Sequence, residues 1–390
     1  MSEYRYIPLG ENVEEMFIGP FGSSLKNECF VEEDEAYCMV YEQKHAIQKT
    51  MDVETRYVNE QKYNELKRFN IQGGDIIVSC RGTIGETFIV PENAPLGIMH
   101  PSIMKIRLKD GVYDKYYFNL LLKSRLKKHE AEANGSGIKM AISATELGKE
   151  SFPVPTMEEQ REITDIISRI SLVIGKRKQE LIALDDLTKA RFVELLGDMK
   201  PTVTIARYIS ELRGGKSLAG TEECKNKVLK TGAATFGWFD PDQYKYLPVD
   251  YEPLPEHKVE TGDVIISRMN TPELVGACSY VFEAPDDMYY PDRLWKVIPK
   301  PETNPIFLWQ LLWDREIRRQ IKEKSGGTSG TMHNISKPKL LEIKCIDAPI
   351  ALQNQFADFV KQVDKSKVAV QKALDETQLL FNSLMQQYFG

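Results

Sequence analysis

The sequence predicts a mixed α+β protein in which one unit is written twice, each copy ending in a long helix. A shift of 193 places Ile142 on Ile335 and Gly197 on Gly390, with similar residues between them. Within each copy, short β-rich runs come first, and a long run with helical periodicity follows. Two copies are too few for a solenoid, which needs at least three stacked repeats.

The first part of each copy is typical of strands followed by one amphipathic helix. Helices are predicted over 116–133 and 306–324, and glycine-rich loops over 134–137 and 325–331 follow them. The predicted strands are DIIVSC (75–80), ETFIV (86–90), IMKIRL (103–108), DVIISRM (263–269) and WKVI (295–298).

The last part of each copy carries the apolar spacing of a coiled coil. Steps of four and three residues separate Ile163, Ile167, Ile170 and Ile174, and Phe356, Val360 and Val363 repeat that spacing. Such a stripe needs a partner, and the other copy is the nearest one, so we expect the two helices to pack against each other. Five residues interrupt the apolar frame: Arg177, Thr188, Arg191, Lys367 and Thr377.

Prolines mark where the long helices begin. Pro155 and Pro349 stand just ahead of them, and proline suits the start of a helix. We therefore predict four segments: globular domains over 1–155 and 200–348, and long helices over 156–199 and 349–390.

Composition indicates an ordinary globular protein of the cytoplasm. No apolar run approaches the ~18 residues of a membrane helix, and MSEYRYIPLG lacks a signal-peptide pattern. The six cysteines form no C-x-x-C pair and the five histidines lack metal-ligand spacing, so we expect reduced thiols, no metal and no cofactor. A net charge of −6 argues against nucleic acid as the sole partner, although local charge or a partner subunit can supply phosphate contacts.

Three motifs and their order carry a resemblance to a known family. They are GPFGSSLK (19–26), GDIIVSCRGTIG (74–85) and GDVIISRMNTPELVG (262–276), and an Ile-Ser…Pro segment precedes each long helix. The chain resembles the specificity subunit of type I restriction–modification systems over essentially its whole length. The second copy departs at its start, where RGGKSLAG (213–220) replaces GPFGSSLK.

The resemblance implies a non-catalytic reader of double-stranded DNA. Each globular domain would be a target recognition domain, and together they would read a bipartite target. The helices would pack as an antiparallel coiled coil that serves as a spacer and docks two methyltransferase subunits, which restriction–translocase subunits would join. The resemblance further implies that S-adenosylmethionine, ATP and Mg belong to the partner subunits.

The candidate DNA contacts are polar and basic residues in loops. Arginine, lysine, asparagine and glutamine pair with base edges, and lysines beside glycine turns suit phosphates. In the first copy the candidates are Lys26, Gln43, Lys44, Arg81, Thr83, Asn134 and Lys139. In the second copy they are Lys216, Trp238, Arg268, Asn270, Thr271, Thr328 and His333.

Two other functions compete with this interpretation. One is the recognition part of a fused restriction or modification enzyme, but Asn304-Pro305-Ile306-Phe307 only partly matches an amino-methyltransferase motif, and Asn304 as a helix cap explains it better. The other is a coiled-coil adaptor that binds no DNA, which leaves two duplicated mixed domains unexplained.

Overall fold

The chain folds into two units that divide both long helices between them. The computed structural model describes residues 4–81, 83–136, 143–329 and 331–390. The first unit comprises Met1–Lys176 with Ala373–Gly390, and the second comprises Arg177–Lys372.

The first unit contains ten strands and four complete helices within its described residues. Its strands are β1 (Arg5–Pro8), β2 (Val13–Ile18), β3 (Cys38–Tyr41), β4 (Arg56–Val58), β5 (Asn70–Ile71), β6 (Ile76–Ser79), β7 (Thr87–Ile89), β8 (Gly97–Met99), β9 (Ile103–Leu108) and β10 (Ser151–Val154). Its helices are α1 (Gln43–Gln48), α2 (Glu60–Glu65), α3 (Lys115–Ser136) and α4 (Ala144–Lys149), and the long helix α5 (Met157–Leu196) begins there.

Three groups of paired strands form the body of the first unit. An antiparallel sheet has the order β2-β9-β6-β7, a second sheet has the order β4-β3-β8-β5 with β3 and β8 parallel, and β1 pairs with β10. In the first sheet Ile76 lies opposite Ile106, and both side chains are buried beneath α3 in the main core. The pairing of β1 with β10 fixes the start of the copy beside the segment that leads into α5.

The second unit repeats this plan. Its strands are β11 (Pro201–Thr204), β12 (Ile209–Gly214), β13 (Lys227–Leu229), β14 (Tyr244–Tyr246), β15 (Val264–Ser267), β16 (Met269–Asn270), β17 (Cys278–Tyr280), β18 (Met288–Tyr289), β19 (Leu294–Pro299), β20 (Gly326–Ser329), β21 (Met332–Asn334) and β22 (Lys344–Ile346). Its helices are α6 (Pro305–Trp313), α7 (Arg315–Lys324) and α8 (Lys337–Leu341), and the long helix α9 (Ile350–Phe389) begins there.

The sheet orders of the second unit correspond to those of the first, except that its second sheet has three strands instead of four. The order β12-β19-β15-β17 corresponds to the first sheet, β14-β13-β18 to the second, and β11 pairs with β22 as β1 does with β10. A further sheet, β16-β21-β20, has no counterpart among the described residues of the first unit. The predicted α+β class and the duplicated plan are therefore confirmed.

The long helices pack antiparallel, as predicted, and this is visible inside each unit. In the first unit the start of α5, through Ile163 and Ile167, shares a core with Phe389 at the end of α9. In the second unit Phe192, near the end of α5, meets Phe356, near the start of α9, with ring centroids 5.3 Å apart. The start of each helix therefore lies beside the end of the other.

The buried stripe follows one heptad frame without a break. The inward positions are 160, 163, 167, 170, 174, 177, 181, 184, 188, 191 and 195 in α5, and 353, 356, 360, 363, 367, 370, 374, 377, 381, 384 and 388 in α9. All of them are buried or half-buried, and the shift of 193 relates one series to the other.

Three polar members of the stripe, Thr188, Lys367 and Thr377, have partners on the long helices. The hydroxyls of Thr188 and Thr377 donate to the carbonyls of Leu184 and Ala373, one turn back. Lys367 forms an ion pair with Asp185 of the other helix. These three residues stay in the heptad frame, but they reduce the apolar surface that the stripe buries.

A buried glutamine fixes the start of each long helix to the rest of its unit. Gln160 is fully buried; its side-chain oxygen accepts from the backbone N–H of Asp114 at 2.8 Å, and its amide nitrogen donates to the carbonyls of Val112 and Pro155 at 2.9 Å. Gln353 accepts from the N–H of Asn304 at 2.9 Å and donates to the carbonyl of Ala348 at 2.8 Å. The two glutamines are equivalent, because each accepts from the residue that caps a domain helix: Asp114 caps α3 and Asn304 caps α6.

The structure corrects three expectations about local elements. The helix predicted over 306–324 is two helices, because the Asp314 carboxylate accepts from the N–H groups of Glu316 and Ile317 and caps a new helix. Most of the loop predicted over 325–331 is the strand β20, which pairs with β21. Residues 134–136 of the loop predicted over 134–137 belong to α3, and residue 137 lies outside the described residues.

Two further boundaries are refined. The run 263–269 does not form one strand, since β15 ends at Ser267 and β16 joins a different sheet. Asn304 caps α6 by accepting from the N–H of Ile306, with Pro305 in the first turn, as expected for this segment.

Replacing Gln160 by alanine should lower the free energy of unfolding by on the order of 3 kcal/mol, because backbone groups lose buried hydrogen bonds. Gln353→Ala should have an effect of the same kind. Urea unfolding of each variant measures the change. Gln179→Ala, at an exposed position of α5, is the matched control and should stay within about 0.5 kcal/mol of the parent. Equal stability of all three variants would contradict this role.

Candidate nucleic-acid interface

The Gly-Asp motif of each copy forms a turn that orients the segment after it. Asp75 is buried, accepts from the N–H of Gln72 and holds Arg107 through two hydrogen bonds of 2.7 and 2.8 Å. Asp263 accepts in the same way from the N–H of Glu260 at 2.8 Å and pairs with Lys296 at 2.9 Å. Both carboxylates are therefore committed to the fold of their own unit.

In the second unit this segment enters the small sheet that the sequence did not predict. Asn270 of β16 lies opposite His333 of β21. The N–H of Arg268 donates to Arg293, and the carbonyl of Arg268 accepts from Ile335. Three candidates that are distant in sequence, Arg268, Asn270 and His333, are thus brought together.

Arginine and lysine side chains flank a buried tryptophan beside this sheet. The guanidinium of Arg268 lies 5.6 Å from the ring centroid of Trp295, and the ammonium of Lys337 lies 5.9 Å from it. The Nε of Arg268 is buried and has no hydrogen-bond partner in the described part of the chain. The ring positions two cations on one surface, which suits a polyanionic ligand.

Thr271 and His333 complete this cluster at its edges. Thr271 is exposed, and its carbonyl accepts from Leu274 and Val275. Nδ1 of His333 lies 3.1 Å from the Ser325 hydroxyl. Thr328 lies in β20, but its side chain is outside the described set.

In the first unit a cationic surface forms around His100. Burial lowers the pKa of His100, and the charges of Arg56, Arg81 and Lys44 lower it further against the opposing charge of Glu42. The ring is therefore neutral at pH 7. Its Nδ1 accepts from the N–H of Ser102 at 3.2 Å, which leaves Nε2–H as a donor.

The predicted residues of the first unit contribute unequally to this surface. Gln43 and Lys44 open α1, and Lys44 pairs with Glu42 at 2.9 Å, while Glu42 also holds Arg56. Arg81 and Thr83 are exposed after β6. Asn134 lies in α3 with its side chain outside the described set, and Lys139 lies outside the described residues.

Three candidates lie away from the contacts that define these clusters. Lys26 is exposed and 3.8 Å from Glu28, and the ammonium of Lys216 lies 6.0 Å from the Tyr251 ring. Trp238 is 58% exposed, stacks on Phe236 and lines a cavity of about 690 Å³ with Asp185 and Lys367 of the long helices. Trp238 therefore belongs to a surface that includes the helices rather than to the Arg268 cluster.

Sequence reasoning missed several residues that these surfaces contain. Arg56, Lys337 and Trp295 join the two clusters only through the fold. Lys230, Lys245 and Arg293 line a cavity of about 360 Å³ in the second unit. One feature of the sequence could have pointed to His100 as a candidate. The pairs His100-Pro101 and Tyr290-Pro291 occupy equivalent places in the two copies.

The described residues offer no group of three or more His, Cys, Asp and Glu side chains that could hold a metal ion. All six cysteines are free, and burial raises the pKa of the Cys278 and Cys345 thiols to about 12. Within the described ranges, no helix has both the length and the apolar character needed to cross a membrane.

Comparisons with known proteins agree with this architecture. A family model described as the type I restriction modification DNA specificity domain matches residues 12–184. The type I restriction enzyme MjaVIII specificity subunit of Methanocaldococcus jannaschii is 23% identical over 340 residues, which cover 79% of this chain and 78% of that protein. The EcoKI specificity subunit of Escherichia coli K12 is 20% identical over 322 residues, which cover 74% of this chain and 65% of that protein.

Solved structures share the fold over the full chain. The S subunit of a type I restriction–modification system from M. genitalium has a TM-score of 0.56 at 16% identity, and the alignment covers 100% of this chain and 97% of that one. A structure titled for complex assembly and conformational transition of the type I system has a TM-score of 0.60 at 14% identity, with 100% and 98% coverage.

Two glycines allow the loops beside these clusters to lie directly against the backbone of His100 and Tyr290. A Cβ at Gly19 would overlap the carbonyl oxygen of His100, and one at Gly215 would overlap that of Tyr290. Gly19→Ala and Gly215→Ala should each lower the free energy of unfolding by about 1–3 kcal/mol, because backbone must move. Thermal or urea unfolding measures this.

Gly22→Ala is the control for both substitutions. Nothing lies within 4 Å of a Cβ at Gly22, so its stability should stay within about 0.5 kcal/mol of the parent. If Gly22→Ala destabilised as much as Gly19→Ala, close approach would not explain the loss.

Proposed function

We propose that the chain is a specificity subunit of a type I restriction–modification system and that it reads a bipartite DNA target through domains 1–155 and 200–348. As a specificity subunit it is itself non-catalytic. One observation supports the two-site proposal best. In both units a cation-bearing segment follows the same Gly-Asp strand, with Arg81 in one and Arg268 in the other.

The chemistry of the two clusters suits DNA. Guanidinium and amide groups form paired hydrogen bonds with guanine and adenine edges in the major groove. Lysines and a neutral histidine N–H supply further donors to phosphate oxygens. We propose Arg81, Lys44 and His100 as contacts to one half-site, and Arg268, Asn270 and His333 as contacts to the other.

The proposed partners follow from the same membership. Methyltransferase subunits, two per chain by the internal duplication, would dock on the paired helices, and restriction–translocase subunits would join them. Those partners would use S-adenosylmethionine, ATP and Mg. The subunit itself would contribute recognition and spacing.

Arg81→Ala should weaken preference in one half-site, and Arg268→Ala should weaken it in the other. Each should lose about 1–3 kcal/mol of discrimination against the wrong base. The complex reconstituted with its methyltransferase subunits is tested on a DNA library randomised in both half-sites. Arg169→Ala and Arg319→Ala, at exposed helix positions, are the controls.

Two results would contradict the assignment of these arginines. One is an unchanged preference in both variants. The other is a change in both half-sites from either single variant, since one composite surface would then read the whole target. Urea unfolding separates the loss of Arg268 packing on Trp295 from the loss of a base contact.

Helix length should set the gap between half-sites. Seven residues inserted after Lys176 and seven after Lys372 keep the heptad frame in both helices and add ~10 Å, or about three base pairs. The half-site preferences should persist while the spaced site widens or is no longer bound. Four-residue insertions at the same places shift the frame and serve as the control for disrupted pairing. Retention of the parental gap after the heptad insertion would rule out a spacer role.

A further inference from the structure

A phenylalanine projects into solvent from the first loop of the first unit. Phe21 is 87% exposed, more than any other large apolar side chain among the described residues. It follows β2 and precedes a short turn in which its carbonyl accepts from the N–H of Ser24 at 2.8 Å. The ring is therefore available to a partner.

The loop that carries Phe21 is anchored at both ends. On one side the N–H of Gly19 donates to the carbonyl of Ile103 at 2.9 Å, and Pro20 is buried. On the other side Leu25 is buried in a core formed with Val40 and Val58. The ring is therefore held outward by a fixed backbone.

The anchor places Phe21 beside the cationic surface of the first unit. Gly19 lies against the His100 carbonyl, and two residues of chain span no more than about 7 Å. His100 lies in the field of Arg56, Arg81 and Lys44, while one carboxylate, Glu42, opposes these three cations. The apolar tip thus borders a surface with excess positive charge.

The corresponding loop of the second unit also carries an apolar side chain near cations, one position further along. Leu218, which is 38% exposed, lines a cavity with Lys230, Lys245 and Arg293, while the position equivalent to Phe21 is Ser217. An apolar side chain next to cations is therefore found in both loops, at neighbouring positions. Cations neutralise phosphates, and an apolar side chain can contact a thymine methyl or press against a base step.

We propose that Phe21 contacts bases of the half-site read by the first recognition domain and helps to determine its sequence preference. This inference rests on the proposed DNA-reading function. The contact is apolar, so it contributes selectivity without neutralising a phosphate.

The test uses the full chain in complex with its methyltransferase subunits. Phe21→Ala should weaken binding to the specific target roughly tenfold and relax the preference at one or two positions of one half-site. The other half-site should be unchanged. The slope of log affinity against log salt should also be unchanged, because no phosphate contact is lost. Phe21→Leu should restore part of the affinity.

Gly22→Ala is the matched control, since it alters the same loop without touching the ring, and it should bind as the parent does. Parental affinity and selectivity in Phe21→Ala would overturn the proposal. So would loss of assembly with the methyltransferase subunits, or loss of adsorption to anionic lipid vesicles with DNA binding intact, because either would assign the ring to a different partner. If the parental complex itself showed no sequence-selective binding, the DNA-reading function would fail, which is distinct from a failure of Phe21 alone.

Discussion

The buried amides of Gln160 and Gln353 are the constraint on which the arrangement of each unit depends. Each joins the first turn of a long helix to the cap of the domain helix, α3 or α6, and to the carbonyl two residues before the long helix begins. A buried amide without these partners would be costly, so the helix can leave the domain in one direction only. The heptad stripe then starts in a fixed phase relative to the sheet.

The fixed phase allows one sequence pattern to serve two packing tasks. At its start each stripe belongs to a domain core, as Ile167 and Val360 show. Towards its other end the same stripe packs on the second helix and contributes to the other domain, as Leu195 and Tyr388 show. Each unit is therefore completed by residues from both copies, and removal of the last turns of α9 would open the core of the first unit.

The features that the sequence predicts well are those set by local periodicity. Heptad spacing predicted the long helices and their pairing, and β-rich runs predicted the central strands. The errors arose where local periodicity does not decide the structure. Asp314 caps a second helix within a run that looks like one continuous helix. The glycine-rich segment that forms β20 pairs with β21, which in turn pairs with β16.

The candidate interface was only partly predictable because it is assembled by that extra sheet. Residue type identified Arg268, Asn270 and His333 separately, but their proximity depends on a pairing of segments more than sixty residues apart, which no local pattern encodes. Trp238 has the residue type of a binding residue, yet the fold places it beside the long helices. Phe21 has an apolar side chain typical of a core, and only the anchoring of Gly19 and Leu25 reveals that it points outward.

Comparison of the two copies separates structural residues from candidate readers. Asp75 and Asp263, Ser79 and Ser267, and Gln160 and Gln353 are the same residue in both copies, and all six are buried. Other positions differ between the copies: the half-buried Cys80 stands where the second copy has Arg268, and the exposed Phe21 stands where it has Ser217. Identical buried groups preserve one scaffold, while different groups at these positions present different donors and apolar contacts. A chain built in this way can hold two domains in equivalent folds while the groups that their loops present differ.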